Sequence, residues 1–168
     1  HGGYYRDGPV EVRDDHPSGT VTVEGVIQRS SNIGAYLIGR QLGPRRFYQM
    51  AEALGFGRRT GIQLSGETSG WLLKTGNPVD FSRATYGYAT SVTPLQIVSA
   101  YAAVANGGLL MQPRIAKRVV ADDGRVIDAC LPVVVRRALK ETTAARMRKA
   151  LEMVVGPRGT ASRAAVPG

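Results

Sequence analysis

Ser30, Ser31 and Asn32 place two hydroxyls and a carboxamide on consecutive residues. Hydroxyls can pass a proton along and an amide can orient a bound group, so such a triplet suits a relay beside a nucleophile. It also suits a plainer role, since Ser and Asn side chains accept hydrogen bonds from free N–H groups at a helix start. A serine nucleophile needs a neighbouring base to take its proton. A lysine three residues on would serve, yet Ser18, Ser65, Ser69, Ser82, Ser91, Ser99 and Ser162 all lack one. Lys74-Thr75-Gly76 sets an amine beside a hydroxyl, but Asn77-Pro78 follows at once. A proline there blocks a strand, so the tripeptide reads as a turn with a solvated lysine. Glu67, Asp80, His1 and His16 have no spacing suited to metal binding or acid–base pairing, and no metal or cofactor is expected. The lone Cys130 rules out an internal disulfide and any multi-cysteine metal site.

The elements that must position these residues follow from periodicity and punctuation. Residues 1–19 are rich in Gly, Asp, His and Pro, with β-like patches at Tyr4-Tyr5 and Val10–Val12, and predict a loop and hairpin. The apolar rhythm from Thr20 predicts helices over 21–29 and 31–42, with the Ser-Ser-Asn triplet at their junction. Gly43-Pro44 ends one helix and starts another, with Phe47, Met50, Ala51 and Leu54 on one face. Residues 57–80 carry many turn signals and read as a looping surface segment. Arg83–Tyr86 then reads as the end of a buried strand, and Gly87-Tyr88-Ala89 as a turn.

Thr93-Pro94-Leu95-Gln96 is a helix start in which Thr93 caps, Pro94 takes the first position and Gln96 reaches back. That helix is apolar on nearly every side and is expected to be surrounded by protein, ending at Asn106-Gly107-Gly108. Residues 113–120 and 125–127 predict strands joined by an Asp122-Asp123-Gly124 turn, and Val133–Val135 a further short strand. Residues 140–155 form an amphipathic helix, with Ala144, Met147, Leu151 and Val154 inward and Arg146, Arg148 and Lys149 outward.

The 168 residues suffice for one domain or a piece of one, and their composition is that of a globular protein. Twenty-two basic against thirteen acidic residues leave a net charge of +9. Such a surface attracts polyanions of any kind: nucleic acid, lipid headgroups or an anionic wall polymer. No nucleic-acid-binding signature accompanies the charge, so nucleic acid is not an expected partner. No apolar run approaches the length of a membrane span, and both ends of the chain are expected to lie inside a longer protein.

In a wider frame, Thr22-Val-Glu-Gly-Val-Ile-Gln-Arg-Ser-Ser-Asn-Ile-Gly34 is followed by Leu54-Gly-Phe-Gly57, Thr60-Gly-Ile62, Gly66-Glu67, Gly70 and the Gly87–Gly108 segment. This series resembles the transpeptidase domain of class B penicillin-binding proteins over nearly the whole chain. The resemblance implies an α/β (α+β) penicillin-recognising serine transpeptidase fold, a helical subdomain plus part of the antiparallel sheet. Residues 1–168 would be the central part of one such domain, truncated at both ends. Three elements serve the family: a Ser-x-x-Lys nucleophile, a Ser-x-Asn triplet and a Lys-Thr-Gly strand. Here the first would lie upstream of His1. The third would lie beyond Gly159-Thr160-Ala161, so Lys74-Thr75-Gly76 is a coincidence of letters. Ala89 departs from the family's usual Gly-x-Gly and would cost about 1 kcal/mol if its φ is positive.

By the same resemblance, Ser30 is the proton-relay hydroxyl and Asn32 the amide that orients substrate and the nucleophile's lysine. Ser31, Tyr86 and Gly87 would line the substrate site. The implied function is penicillin binding and peptidoglycan cross-linking by acyl transfer from D-Ala-D-Ala stem peptides, with Asn32-Ile33-Gly34 pointing to the septal branch. β-Lactams and stem peptides are the expected ligands, division and wall-synthesis proteins the partners, and the outer side of the bacterial cytoplasmic membrane the location. The slice alone is expected to be inactive and to fold poorly, because its sheet would lack flanking strands and its apolar helix would be left uncovered. Two alternatives remain open on the residues: a catalytically silent penicillin-binding-like scaffold, and a basic polyanion-binding domain.

Overall fold

The computed structural model describes residues 2–166; His1 lies outside the described residues. In chain order the elements are β1 (Tyr4–Asp7), β2 (Val10–Arg13), α1 (Val23–Gln28), α2 (Asn32–Leu42), α3 (Pro44–Ala53), β3 (Trp71–Leu72), α4 (Pro78–Thr85) and β4 (Thr90–Ser91). They continue with α5 (Pro94–Ala105), β5 (Leu109–Met111), β6 (Val119–Val120), β7 (Val126–Asp128), β8 (Val134–Arg137) and α6 (Glu141–Val155). The chain forms two compact units, residues 1–50, 72–90 and 145–168 in one, and 51–71 and 91–144 in the other.

In the first unit β1 and β2 form an antiparallel hairpin, Tyr4 opposite Arg13 and Asp7 opposite Val10. Alternation turns Val10 and Val12 inward, where they bury against Ile33 and Tyr36 of α2. Tyr36 Oη donates to Asp7 at 2.9 Å, and Arg40 forms a close ion pair with the same carboxylate. The guanidinium first, and the tyrosine hydroxyl second, hold the Asp7 carboxyl below its ordinary range. A second cluster joins Tyr48 of α3 to Phe81 and Ala84 of α4, with Phe47 meeting Phe81 edge-on at 5.6 Å. Tyr48 Oη donates to Leu73 O at 2.6 Å.

Four expectations need correction in this region and beyond. Arg83–Tyr86 does not end a strand, for it closes helix α4. Asn77 Oδ1 accepts from the N–H groups of Val79 and Asp80, and Pro78 takes the first helical position, where it loses nothing. Met50 is 44% exposed; Tyr48 is the residue of α3 that buries, because its ring lies tilted against Phe81, centroids 6.1 Å apart, and its hydroxyl has a carbonyl partner.

In the second unit the Thr93 helix start forms as expected. Thr93 Oγ1 accepts from Gln96 N at 3.1 Å, and Gln96 Oε1 accepts from Thr93 N at 2.8 Å. Gln96 is only 1% exposed, and its amide also donates to Arg58 O and Ser69 O, both at 2.7 Å. Glu67 ties the preceding loop by accepting from Thr60 N, Thr60 Oγ1 and Gly61 N. These bonds, the threonine hydroxyl first, lower its pKa.

α5 is covered on one side only, as expected for this stretch taken alone. Ala103 is 1% exposed, but Val98 and Tyr101 are 63% and 57% exposed. One side of α5 packs on β5, and the opposite apolar stripe has no cover among the described residues. The third correction concerns residues 113–118, which are irregular, so the first hairpin strand is only β6. The Asp122-Asp123-Gly124 turn does join it to β7, with Gly124 in the left-handed region and Ala121 N donating to Arg125 O at 2.8 Å. The fourth is β8, which pairs antiparallel with β5 and spans Val134–Arg137, shifted from the expected Val133–Val135.

Candidate active site

The junction between α1 and α2 is built by two capping motifs placed back to back. At the end of α1, Ser30 N donates to Ile27 O at 3.1 Å and Ser31 N donates to Val26 O at 3.0 Å. This is the paired bonding of a Schellman motif, in which the residue just past the helix adopts a left-handed backbone. That residue is Ser30, with φ +52°. Glycine commonly fills the position because a Cβ there meets the carbonyl; serine costs about 1–2 kcal/mol. Its neighbours hold the conformation, and the Ser30 side chain is exposed.

Ser31 then caps α2, accepting from Gly34 N at 2.9 Å. It is buried, and its hydroxyl donates to Asp14 Oδ2 at 2.8 Å while Asp14 Oδ1 accepts from Ile33 N at 2.9 Å. A carboxylate beside the first turn of a helix also meets the positive end of the helix dipole. Asn32 Nδ2 donates to Arg13 O at 2.9 Å, which orients the amide. The end of β2 therefore clamps the triplet through two adjacent residues, Arg13 and Asp14. Gly34 permits the close crossing of α1 and α2: a Cβ there would stand 2.4 Å from Val26 Cγ2.

The structure brings Ser30, Ser31 and Asn32 together but turns them differently, Ser30 outward and Ser31 inward. Tyr86 and Gly87 belong to the same unit and lie just past α4. The Tyr86 ring packs on the Val10–Val12–Ile33–Tyr36 cluster and meets Tyr88 edge-on at 5.7 Å. Gly87 has φ +97° and open space around it, and Ala89 does take a positive φ, +55°. A cavity of about 340 Å³ borders the junction, with Asp14, Thr22, Val26, Ser31 and Leu37 among its lining residues. Lys74 is exposed on the loop before α4, outside any strand. Thr75 Oγ1 there accepts from Asn77 N at 3.0 Å.

Two contributors have little signal in the sequence. Asp14 looked like one acidic loop residue beside another. Thr160 lies 130 residues from Ser30, yet their hydroxyl oxygens are 2.8 Å apart. The Gly159-Thr160-Ala161 run was its sole signal, and that run carried no assigned role.

A sequence profile of the penicillin binding protein transpeptidase domain matches residues 2–168. The chain belongs to this family. It is 37% identical over 175 residues to the penicillin-binding protein PbpB of Mycolicibacterium smegmatis, covering 96% of this chain and 26% of that protein. It is 31% identical to the probable peptidoglycan D,D-transpeptidase PenA of Neisseria meningitidis, covering 98% of this chain and 27% of that one. Among solved structures, penicillin binding protein 3 of Mycobacterium tuberculosis in complex with aztreonam superposes with a TM-score of 0.85 at 34% identity, over 99% of this chain and 39% of that one. The fold is thus the mixed α/β transpeptidase fold. The chain spans about a quarter of the length of the curated relatives it matches.

Proposed function

We propose that the protein carrying this chain is a peptidoglycan D,D-transpeptidase, and that residues 1–168 are the central part of its transpeptidase domain. A serine supplied outside these residues attacks the D-Ala-D-Ala carbonyl of a stem peptide, expels D-Ala, and passes the acyl group to an amine on a neighbouring strand. β-Lactams acylate the same serine. Ser30 relays the proton between the attacking hydroxyl and the leaving amine, accepting one proton as it gives up its own. Asn32, its amide held by Arg13 O, orients the substrate and the nucleophile's lysine. Tyr86 and the open backbone at Gly87 line the substrate's path. Ser31 contributes through its place at the head of α2, since its hydroxyl is engaged with Asp14.

The observation that carries this reading is Ser30 itself. A serine occupies a left-handed cap where glycine would relieve the backbone, and its hydroxyl is exposed. Backbone strain of this sort persists where a side chain is needed for a task. The names of relatives that are D,D-transpeptidases, and the aztreonam complex of one, support the substrate and drug class. We further place the protein in septal wall synthesis alongside division proteins. It would be anchored in the cytoplasmic membrane with this domain on the outer side; among the described residues no helix is long and apolar enough to cross a membrane.

Fluorescent-penicillin labelling of the longer protein tests the reading. Ser30→Ala is expected to slow acylation by about a hundredfold, the scale of a lost proton relay. Ser30→Gly should slow it equally while raising stability by about 1 kcal/mol through relief of the left-handed backbone. Labelling of either variant at the wild-type rate sinks the assignment.

A further inference from the structure

We infer that Thr160 is a positioning residue for Ser30, holding its hydroxyl at the place from which it relays the proton; this rests on the reading of Ser30 given above. The Ser30 and Thr160 hydroxyl oxygens are 2.8 Å apart, and either can donate. In one sense Thr160 leaves the Ser30 proton free to point outward. In the other Ser30 keeps its lone pairs outward. Both senses restrict the Ser30 side chain to one rotamer, which an exposed serine on a left-handed backbone would not otherwise keep.

The chain around Thr160 is shaped to deliver it. Val154 O, at the end of α6, accepts from Ala161 N at 3.0 Å, and Gly159 N donates to Gly156 O at 2.9 Å. Gly159 lies so close to the helix end that a Cβ on it would stand 1.9 Å from Val154 O. Glycine is therefore required at 159 for the turn to close against α6. Thr160 N donates to Gln28 O, the end of α1, at 3.3 Å. The Gly-Thr-Ala run thus has a division of labour: Gly159 allows the approach, the Ala161 N–H pins the loop, and Thr160 meets both the backbone and the hydroxyl of the α1–α2 junction. Arg146 of α6 lies 3.8 Å from Glu24 of α1, a second tie between the same two elements.

The test compares Thr160→Val, which keeps the shape and removes the hydroxyl, with Thr160→Ser, which keeps the hydroxyl. Both are made in the longer protein, alone and combined with Ser30→Ala, and acylation by a fluorescent penicillin is followed across pH. Thr160→Val is expected to slow acylation by about three- to tenfold, the worth of one hydrogen bond, and to shift the pH profile. Thr160→Ser should restore the rate. In the Ser30→Ala background Thr160→Val should have no further effect, because the hydroxyl it positions is gone.

An equal slowing in both backgrounds would show a merely structural role and overturn the inference. So would equally slow Val and Ser variants, each melting as the wild type does. If Ser30→Ala is slow while Thr160→Val is normal, the inference fails and the relay reading stands. If Ser30→Ala labels normally, both fall. Should Thr160→Val not fold, Thr160→Ala is judged by the same comparisons.

Discussion

Replacing Gly34 with alanine should force α1 and α2 apart. A Cβ there would stand 2.4 Å from Val26 Cγ2, 2.8 Å from Cγ1 and 3.1 Å from Cβ. Favourable carbon–carbon separations are about 3.5–4.0 Å, so the gap must open by about 1 Å. Rotating Val26 gives no escape, because both branches and the branch point itself are too near. Overpacking of this kind costs about 1–3 kcal/mol, and the better helix propensity of alanine returns at most about 1 kcal/mol. The expected net loss is about 1–2 kcal/mol.

Val26→Ala alone should cost about 1–3 kcal/mol by leaving a void. In that background only the residue-26 Cβ, 3.1 Å away, stays close, a contact that a shift of a few tenths of an ångström relieves, so Gly34→Ala should become close to neutral. The coupling between the two sites is then about 2 kcal/mol. Urea unfolding followed by circular dichroism measures the cycle, provided the slope stays constant. The helix opening also turns the Ser30–Asn32 junction, so acylation should fall in Gly34→Ala and recover in the double variant. Additivity of the two substitutions to within about 0.5 kcal/mol would refute the packing argument.

Glu67 gives a pH prediction. Its pKa is lowered from 4.5 by the Thr60 hydroxyl and the backbone N–H groups of Thr60 and Gly61. The folded state thus binds its proton more weakly than the unfolded chain. Its stabilising effect is fully present above 4.5 and is lost as the pH falls through the lower folded value. Urea midpoints of wild type and Glu67→Gln should converge as pH is lowered below 4.5, whereas parallel curves would count against the clamp. Ala89→Gly should stabilise by about 0.5–1 kcal/mol, since φ +55° strains alanine alone. An unchanged or lower melting temperature would contradict that strain.

What was legible in the sequence was local. The Thr93–Gln96 capping box, the Asp-Asp-Gly turn and the helix caps at the α1–α2 junction each depend on bonds spanning a few residues, so residue types at fixed offsets suffice to specify them. The same logic was available for Asn77-Pro78, yet Arg83–Tyr86 reads as a strand end because Thr85 and Tyr86 are residues common in strands. Four residues hold no period long enough to separate helix from strand.

Other features were decided only by tertiary structure. β5 is three residues long and exists because β8, more than twenty residues later, supplies its hydrogen bonds. Tyr48 displaced Met50 from the core because Phe81 and a loop carbonyl met its ring and hydroxyl. α5 is apolar on nearly every side, but composition cannot say which neighbours cover which face, and within these residues it is the stripe with Val98 and Tyr101 that stays open. The triplet Ser30-Ser31-Asn32 could be found by its letters. Which serine faces outward was set by a left-handed cap and by Asp14, and what holds that serine's hydroxyl was set by Thr160, far along the chain and brought back by the end of α6.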